Sequence, residues 1–213
     1  MKAKTLSIID EILLKNDLSY LADAVKKAVS DSVERILSGG KIVVCGNGGS
    51  AADSDHIVGE LLKSFILPRN LYEKDKEKFL RFGEKGKYLA ENLQYGIPAV
   101  SLSNAGAIST AIVNDSGAEL LFAQQAFGVL SENDVLIGIS TSGNAKNVAL
   151  AMTVAKIKGA YCICLSGRDG GELKKLADVN LIVNLDETYK IQEKHQPIYH
   201  LYCMCLENEL FGD

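Results

Sequence analysis

Chemistry-bearing residues are concentrated in a glycine-rich run, 45–50 (CGNGGS), and in the helix-like stretch that follows it. Glycines let the backbone turn tightly and bring N–H groups close to a ligand, and a helix N-terminus adds partial positive charge. His56 and Glu60 lie four residues apart on that helix and therefore share one face. Such a pair can transfer protons or bind a metal, although a hydrogen bond along the helix face explains it equally well. The run thus predicts an anion site, most simply for a phosphate, beside a pair of chemically active side chains.

A second polar turn, Ser140-Thr141-Ser142-Gly143-Asn144, directly follows the apolar run 135–139. Hydroxyl and backbone N–H groups together suit the three oxygens of a phosphate. Taken alone, a turn of this composition is more often a simple helix N-cap. Together with the glycine-rich run on a neighbouring strand, it favours a shared phosphosugar site. The sequence contains neither the P-loop nor the dinucleotide-binding glycine pattern, so no nucleotide site is indicated.

The three histidines of the chain all fall in two segments. His56 follows the glycine-rich run, whereas His195 and His200 lie near the end of the chain in a predicted helix that also carries Gln192. Gln192 and His200 are spaced so that both can face one cleft. A lone helical histidine is more often structural than functional, but the grouping of all three favours a role in the site.

Short apolar runs alternate with helical patterns along most of the chain. Unbroken apolar strands of this kind indicate a parallel sheet covered by helices on both faces, in which ligands bind at the carboxyl ends of the strands. Both polar turns fall at such ends. The predicted strands are 42–45, 99–102, 135–139, 161–165 and 179–183, and the predicted helices are 5–38 (one or two), 50–65, 105–127, 145–158, 171–176 and 188–210.

The segment 66–97 interrupts this alternation and is rich in Lys and Glu. We predict one or two charged helices with a glycine-containing break. A solvated surface insertion is the simpler interpretation, and a lid or interface element near the site is the alternative. The predicted organisation is a single domain over 1–213, with an N-terminal helical region 1–38 and this charged insertion.

Composition excludes several classes of function. The chain has 213 residues, of which 47% are hydrophobic and 23% charged, which is ordinary for a globular domain. Its net charge of −4 gives no electrostatic reason to expect a nucleic-acid partner. No apolar run approaches the roughly 20 residues that a membrane span needs, so no membrane partner is expected.

The N-terminus and the cysteines favour a cytoplasmic protein. The first residues, MKAKTLSIIDEILLKN, have acids inside the apolar stretch and read as an amphipathic helix, not as a signal peptide. The five cysteines include no C-x-x-C pair, so we expect them to be reduced and buried.

The chain resembles the sugar isomerase (SIS) domain family in three segments, GNGGSAADSDHIVGEL, STSGN and IQEKHQPIYH. Within that family it is most similar to the isomerases of sedoheptulose 7-phosphate. The resemblance implies a three-layer sandwich with a five-stranded parallel sheet, N-terminal helices that serve oligomerisation, and a homotetramer with active sites between subunits. It also implies an aldose–ketose isomerase that forms D-glycero-D-manno-heptose 7-phosphate through an enediol, for surface-polysaccharide heptose synthesis.

The resemblance assigns expected roles to individual residues. Glu60 and His200 match the proton-transfer pair, and His56, Glu60, Gln192 and His200 match the ligands of one zinc ion. Ser140, Thr141 and Ser142 match the phosphate site. The remaining matches to the substrate site are Asn47, Gly48, Gly49, Ser50, Asn114 and Asp115, together with Glu60 and Gln192.

Three positions depart from the usual family pattern. Ala145 stands where a further serine is common, Ser64 where an arginine follows the glutamate, and Lys190 where an arginine precedes Ile-Gln-Glu. None of them removes a predicted proton carrier or metal ligand, but because of them the resemblance does not determine which phosphosugar is the substrate. An isomerase of another phosphosugar, and a non-catalytic SIS protein that binds a phosphosugar or a protein partner, therefore remain alternatives.

Overall fold

Five short apolar runs form one sheet in the computed structural model, which describes residues 1–104 and 106–212. All neighbouring strands pair in parallel, as the apolar runs predicted, and their order in the sheet is β2-β1-β3-β4-β5. The strands β1 and β3, which lead into the two polar turns, are direct neighbours. The strands are β1 (Ile42–Gly46), β2 (Ala99–Ser101), β3 (Val135–Ser140), β4 (Tyr161–Gly167) and β5 (Val179–Val183).

Helices cover both faces of the sheet and complete the predicted three-layer α/β sandwich. Short 3₁₀ turns precede the second and the seventh helix, at Ser19–Leu21 and Ala118–Leu120. The helices are α1 (Ala3–Lys15), α2 (Ala22–Leu37), α3 (Gly49–Leu62), α4 (Glu73–Leu80), α5 (Gly83–Asn92), α6 (Gly106–Asp115), α7 (Leu121–Val129), α8 (Lys146–Ile157), α9 (Gly171–Leu176) and α10 (Thr188–Phe211).

Two apolar clusters hold the layers together because successive strand residues point to opposite faces. Ile42 and Val44 pack with α1, α2, α3 and α10, whereas Val43 and Cys45 pack with α7, α8 and α9. These strand residues are fully buried, and burial of each large aliphatic side chain contributes about 1.5–3 kcal/mol. The sheet is thus a rigid base for the turns at its carboxyl edge.

The helical pattern predicted over about 105–127 does not form one continuous helix. The chain forms α6 and α7 instead, separated near Gly117, whose φ of +103° is a conformation that few residues other than glycine adopt. The N–H groups of Ser116 and Gly117 both donate to the carbonyl of Ile112, which closes the end of α6. The predicted start at Ala105 lies outside the described residues.

The segment 66–97 contains two helices, α4 and α5, with Gly83 at the break, as predicted. Its base is closed by an antiparallel bridge between Asn70 and Gln94. Every residue of α4 is at least partly exposed, whereas α5 buries Gly86 and Ala90. The surface insertion, its alternative as a lid or interface element, and the division of the chain into regions stay predictions.

All five cysteines are buried and unpaired, as expected. Burial raises the thiol pKa to about 12 for Cys45 and to about 11 for Cys164, which keeps these groups unreactive. Among the described helices, none is both long and apolar enough to cross a membrane.

Candidate active site

The glycine-rich turn joins β1 to α3 at the carboxyl edge of the sheet. Gly48 has a φ of +56°, and the N–H of Ser50 donates to the carbonyl of Asn47 at 3.0 Å, so the chain turns directly into the helix. A Cβ at Gly49 would lie 2.3 Å from Nε2 of Gln192, which brings α10 against the turn. Ser50 is buried, and Asn47, Gly48 and Gly49 are exposed.

Ser103, which follows β2, supports this turn from the side. Its Oγ accepts a hydrogen bond from the N–H of Gly46 at 3.1 Å and donates to the carbonyl of the same residue at 2.9 Å. The sequence pattern did not single out Ser103, because a serine after a short strand carries no local signal of such a contact.

The second turn leads from β3 into α8. Ser140 is buried, and Gly143 packs so closely on the backbone of Gly170 that a Cβ would lie 2.1 Å from its carbonyl oxygen. The N-cap of α8 is Ala145, and no side chain caps the helix. The hydroxyls of residues 140–142 therefore do not serve as the N-cap of α8, which removes the simpler interpretation of this turn.

Asn47 and Asn147 connect the two turns. The Nδ2 of each donates to the Oδ1 of the other, at 2.9 and 3.0 Å. This reciprocal amide pair fixes the distance between the turn after β1 and the first turn of α8. Sequence reasoning missed Asn147, although it lies only three residues beyond the STSGN turn.

Three of the predicted ionisable residues converge beside the glycine-rich turn. Nε2 of His56 lies 3.3 Å from Oε1 of Glu60 and 3.4 Å from Nε2 of His200. Glu60 is also paired with Lys63, whose Nζ lies 3.0 Å from Oε2. A carboxylate and two imidazoles that meet in this way can move protons between the atoms of a bound substrate.

Tyr199 and Phe65 contact the imidazole rings of this cluster, and Asp53 lies next to Tyr199. The hydroxyl of Tyr199 lies 3.1 Å from Nδ1 of His56, so it fixes which ring nitrogen faces Glu60. Asp53 lies beside Tyr199, and burial raises its pKa against the opposing effects of Tyr199 and His56. The ring of Phe65 packs on His200 with 5.5 Å between centroids.

The two histidines of α10 differ in environment. Burial and the neighbouring His56 lower the pKa of His200, and Glu60 opposes them, so the ring is neutral at neutral pH. A neutral imidazole still carries one N–H that it can donate. Burial lowers the pKa of His195 to about 4, with the backbone of Ser166 opposing, and among the described residues neither ring nitrogen has a well-formed hydrogen bond. His195 is therefore a core residue, apart from the cluster.

Asn114 and Asp115 lie at the end of α6, and the structure does not join them to the other predicted residues. Both are exposed, and Nδ2 of Asn114 donates to Oδ1 of Asp115 at 2.8 Å. Within the described part of the chain, no side-chain hydrogen bond connects either one to the two turns or to the histidine cluster.

Metal ligation is not preformed. Within residues 1–104 and 106–212, no group of three or more His, Cys, Asp or Glu side chains is arranged to hold a metal ion. His56 contacts Glu60 and His200 in two separate pairs, and the side-chain amide of Gln192 lies next to Gly49.

Comparison with known proteins identifies the family of this chain. The SIS domain model matches residues 109–203, which include the second turn, Gln192 and His200. A phosphoheptose isomerase of Helicobacter pylori (strain P12) is 40% identical over 194 residues, which cover 91% of this chain and 88% of the relative. The chain belongs to the phosphoheptose isomerase family.

Two further members of the phosphoheptose isomerase family extend the match over nearly the whole chain. The relative from Aliarcobacter butzleri (strain RM4018) is 36% identical over 209 residues, with 96% of this chain and 97% of the relative covered. The solved structure of phosphoheptose isomerase GmhA from Neisseria gonorrhoeae superposes with a TM-score of 0.72 at 30% identity, and covers 97% of this chain and 94% of that one. The fold expected from the resemblance is thereby confirmed.

Proposed function

We propose that this chain is a ketose–aldose isomerase that converts sedoheptulose 7-phosphate to D-glycero-D-manno-heptose 7-phosphate. The observation that carries the proposal is the convergence of Glu60 and His200 on Nε2 of His56, beside two polar turns, in a chain of the phosphoheptose isomerase family. The names of its relatives favour this reaction over a non-catalytic SIS protein, and over an isomerase of another phosphosugar.

The reaction moves a proton between C1 and C2 of the sugar, and two groups of the chain divide that work. Glu60 takes a proton from C1 of the ketose, which leaves an enediolate, and returns the proton to C2. His200 donates its ring N–H to the C2 oxygen and takes the proton of the C1 hydroxyl. Because both groups end as they began, the cycle needs no external acid or base.

The polar turns hold the two ends of the substrate. Ser140, Thr141 and Ser142 bind the phosphate through hydroxyls and backbone N–H groups at the end of β3. The turn 47–50 lines the sugar, with Gln192 beside it. The Asn47–Asn147 amide pair supports this division, because it keeps the sugar end and the phosphate end of the cleft at a fixed separation.

The donor types, two imidazoles, a carboxylate and an amide, are ones that zinc accepts, although within the described residues they are not arranged as a preformed metal site. We propose His56, Glu60, Gln192 and His200 as the ligands, with Tyr199 holding the other nitrogen of His56. Zinc bound there would act as a Lewis acid that stabilises the enediolate. Ligation competes with the role of Glu60 as a base, because a metal-bound carboxylate is less basic.

We further propose a homotetramer with active sites between subunits. The exposed positions of Asn114 and Asp115 support this, because within the described residues no side-chain hydrogen bond joins them to the turns or to the histidine cluster of their own chain. Exposed apolar side chains nearby, Ile108, Val113 and Phe127, offer a surface for a second copy to cover. Light scattering on the purified protein tests the mass.

The proposed setting is the cytoplasm, at the entry to heptose synthesis for surface polysaccharides. Five buried cysteines without a disulfide support a reducing compartment.

Turnover of sedoheptulose 7-phosphate, with and without added zinc, is the direct test. The expected product is the aldose, detected by chromatography, with Glu60→Gln and His200→Ala as variants of the proton-transfer pair. Folded protein that binds the sugar but forms no aldose would favour the non-catalytic alternative. Turnover of a different phosphosugar, but not of sedoheptulose 7-phosphate, would show that the other sugar is the substrate.

A further inference from the structure

Arg69 and Glu207 form an ion pair in the protein interior. Their side chains are 0% and 1% exposed, and Nε of Arg69 lies 2.7 Å from Oε1 of Glu207. Arg69 lies at the start of the charged segment 66–97, and Glu207 lies two turns beyond His200 on α10. Such pairs are costly to bury, so this one calls for a reason beyond stability.

Arg69 binds the end of the helix that carries Glu60. Its Nη1 donates to the carbonyl of Leu61 at 2.6 Å and its Nη2 to the carbonyl of Glu60 at 3.2 Å. Carbonyls in the last turn of a helix lack intrahelical partners, so a donor placed there determines where the helix ends. The guanidinium therefore fixes the backbone of Glu60 itself.

Glu207 binds the loop that packs on His200. Its carboxylate accepts hydrogen bonds from the N–H groups of Phe65, Ile66 and Leu67, at 2.8, 2.8 and 2.9 Å. Burial raises the pKa of this carboxyl, but these hydrogen bonds and that of Arg69 together hold the pKa below its usual range, so the group is ionised. The loop it anchors places the ring of Phe65 against His200.

We propose that the Arg69–Glu207 pair is a positioning device that sets the separation of Glu60 and His200. Through this separation the pair controls the rate of proton transfer, and it does not affect the affinity for the substrate. The inference rests on the proposed isomerase function. It assigns Arg69 and Glu207 to the reaction although neither faces the cleft. The phosphate turn lies on β3 and α8 and makes no hydrogen bond with this pair among the described residues.

Arg69→Lys and Glu207→Gln test the proposal, with Asp134→Asn as a matched control. Asp134 is a carboxylate of equal burial (1% exposed), paired with Lys41 at 2.7 Å, but it lies at the amino edge of the sheet. We expect kcat to fall about 10- to 100-fold in both test variants, with KM within about threefold, because small misplacements of reacting groups cost this much. The control should lose stability and keep kcat.

A second readout does not depend on activity. Hydrogen–deuterium exchange of the peptide 57–66 should be faster in Arg69→Lys than in the native protein, and unchanged in Asp134→Asn. If the native protein does not isomerise the sugar, the proposed function is wrong. The exchange measurement still tests whether the Arg69–Glu207 pair holds the end of α3. The positioning role is overturned if folded Arg69→Lys keeps both native exchange and native kcat, or if kcat falls equally in the control.

Discussion

The side-chain amide of Gln192 lies so close to Gly49 that a methyl group on that α-carbon would approach Nε2 to 2.3 Å. The contact joins the glycine-rich turn to α10 at the edge of the cleft. A side chain at position 49 would therefore require Gln192 to move, whereas the tight φ of the turn belongs to Gly48.

Gly49→Ala should therefore displace Gln192 and lower activity without unfolding the protein. We expect kcat/KM to fall at least about tenfold, because a side chain beside the reacting atoms moves by the order of 1 Å. Gly59→Ala, on the same helix and with open space around its α-carbon, is the control and should be neutral or slightly stabilising. Equal activity of the two variants would show that Gln192 has no role in turnover.

Glu60→Gln should abolish turnover while leaving phosphate binding nearly intact. The amide keeps the shape of the carboxylate but cannot accept a proton from C1, and loss of a catalytic base lowers the rate about 10²–10⁴-fold.

Ser142→Ala should show the opposite pattern, with a raised KM and a smaller effect on kcat. Titration calorimetry with the phosphosugar, beside steady-state kinetics, separates the two, and loss of binding in Glu60→Gln would contradict the assigned roles.

Tyr199→Phe should reduce activity or zinc affinity about tenfold, because it removes the hydroxyl that holds Nδ1 of His56. Tyr202→Phe is the matched control on the same helix. Its hydroxyl donates to Oγ of Ser32 at 2.7 Å, in the packing of α10 on α2, so its loss should lower stability alone. Kinetics and a competitive zinc titration provide the measurements. If Tyr199→Phe changes neither activity nor zinc affinity, contacts other than the Tyr199 hydroxyl orient His56.

His195 should make the fold sensitive to mild acid. Its pKa is 6.5 in the unfolded chain and about 4 when buried, so between these values the unfolded state binds more protons than the folded one. Stability is therefore fully present above about pH 6.5 and falls as the pH drops toward 4, by about 3 kcal/mol over the window.

Denaturant unfolding of the native protein and of His195→Gln across pH 4–7 tests this. The difference in unfolding free energy between the two should shrink as the pH falls, since glutamine does not titrate. A difference that stays constant with pH would mean that His195 is not buried in its neutral form.

Much of this protein is determined by local sequence. Apolar runs bounded by glycine and polar residues form strands wherever they fall, and helical spacing of apolar residues forms amphipathic helices, so the parallel sheet followed from the order of the runs. The turns at 45–50 and 140–144 were predicted in the same way, because glycine permits the backbone conformations of a tight turn and hydroxyl groups suit the oxygens of a phosphate. The break at Gly117 was missed because a glycine within a helical pattern does not reveal its φ.

Contacts between distant parts of the chain were decided by the tertiary structure alone. His56 and His200 are separated by 144 residues, Asn47 and Asn147 by 100, and Arg69 and Glu207 by 138. No local preference encodes these pairs, since each depends on how α3 and α10 pack on one face of the sheet and on which strands are neighbours. The sequence by itself determined which side chains could do chemistry, and the packing of helices on the sheet decided which of them meet.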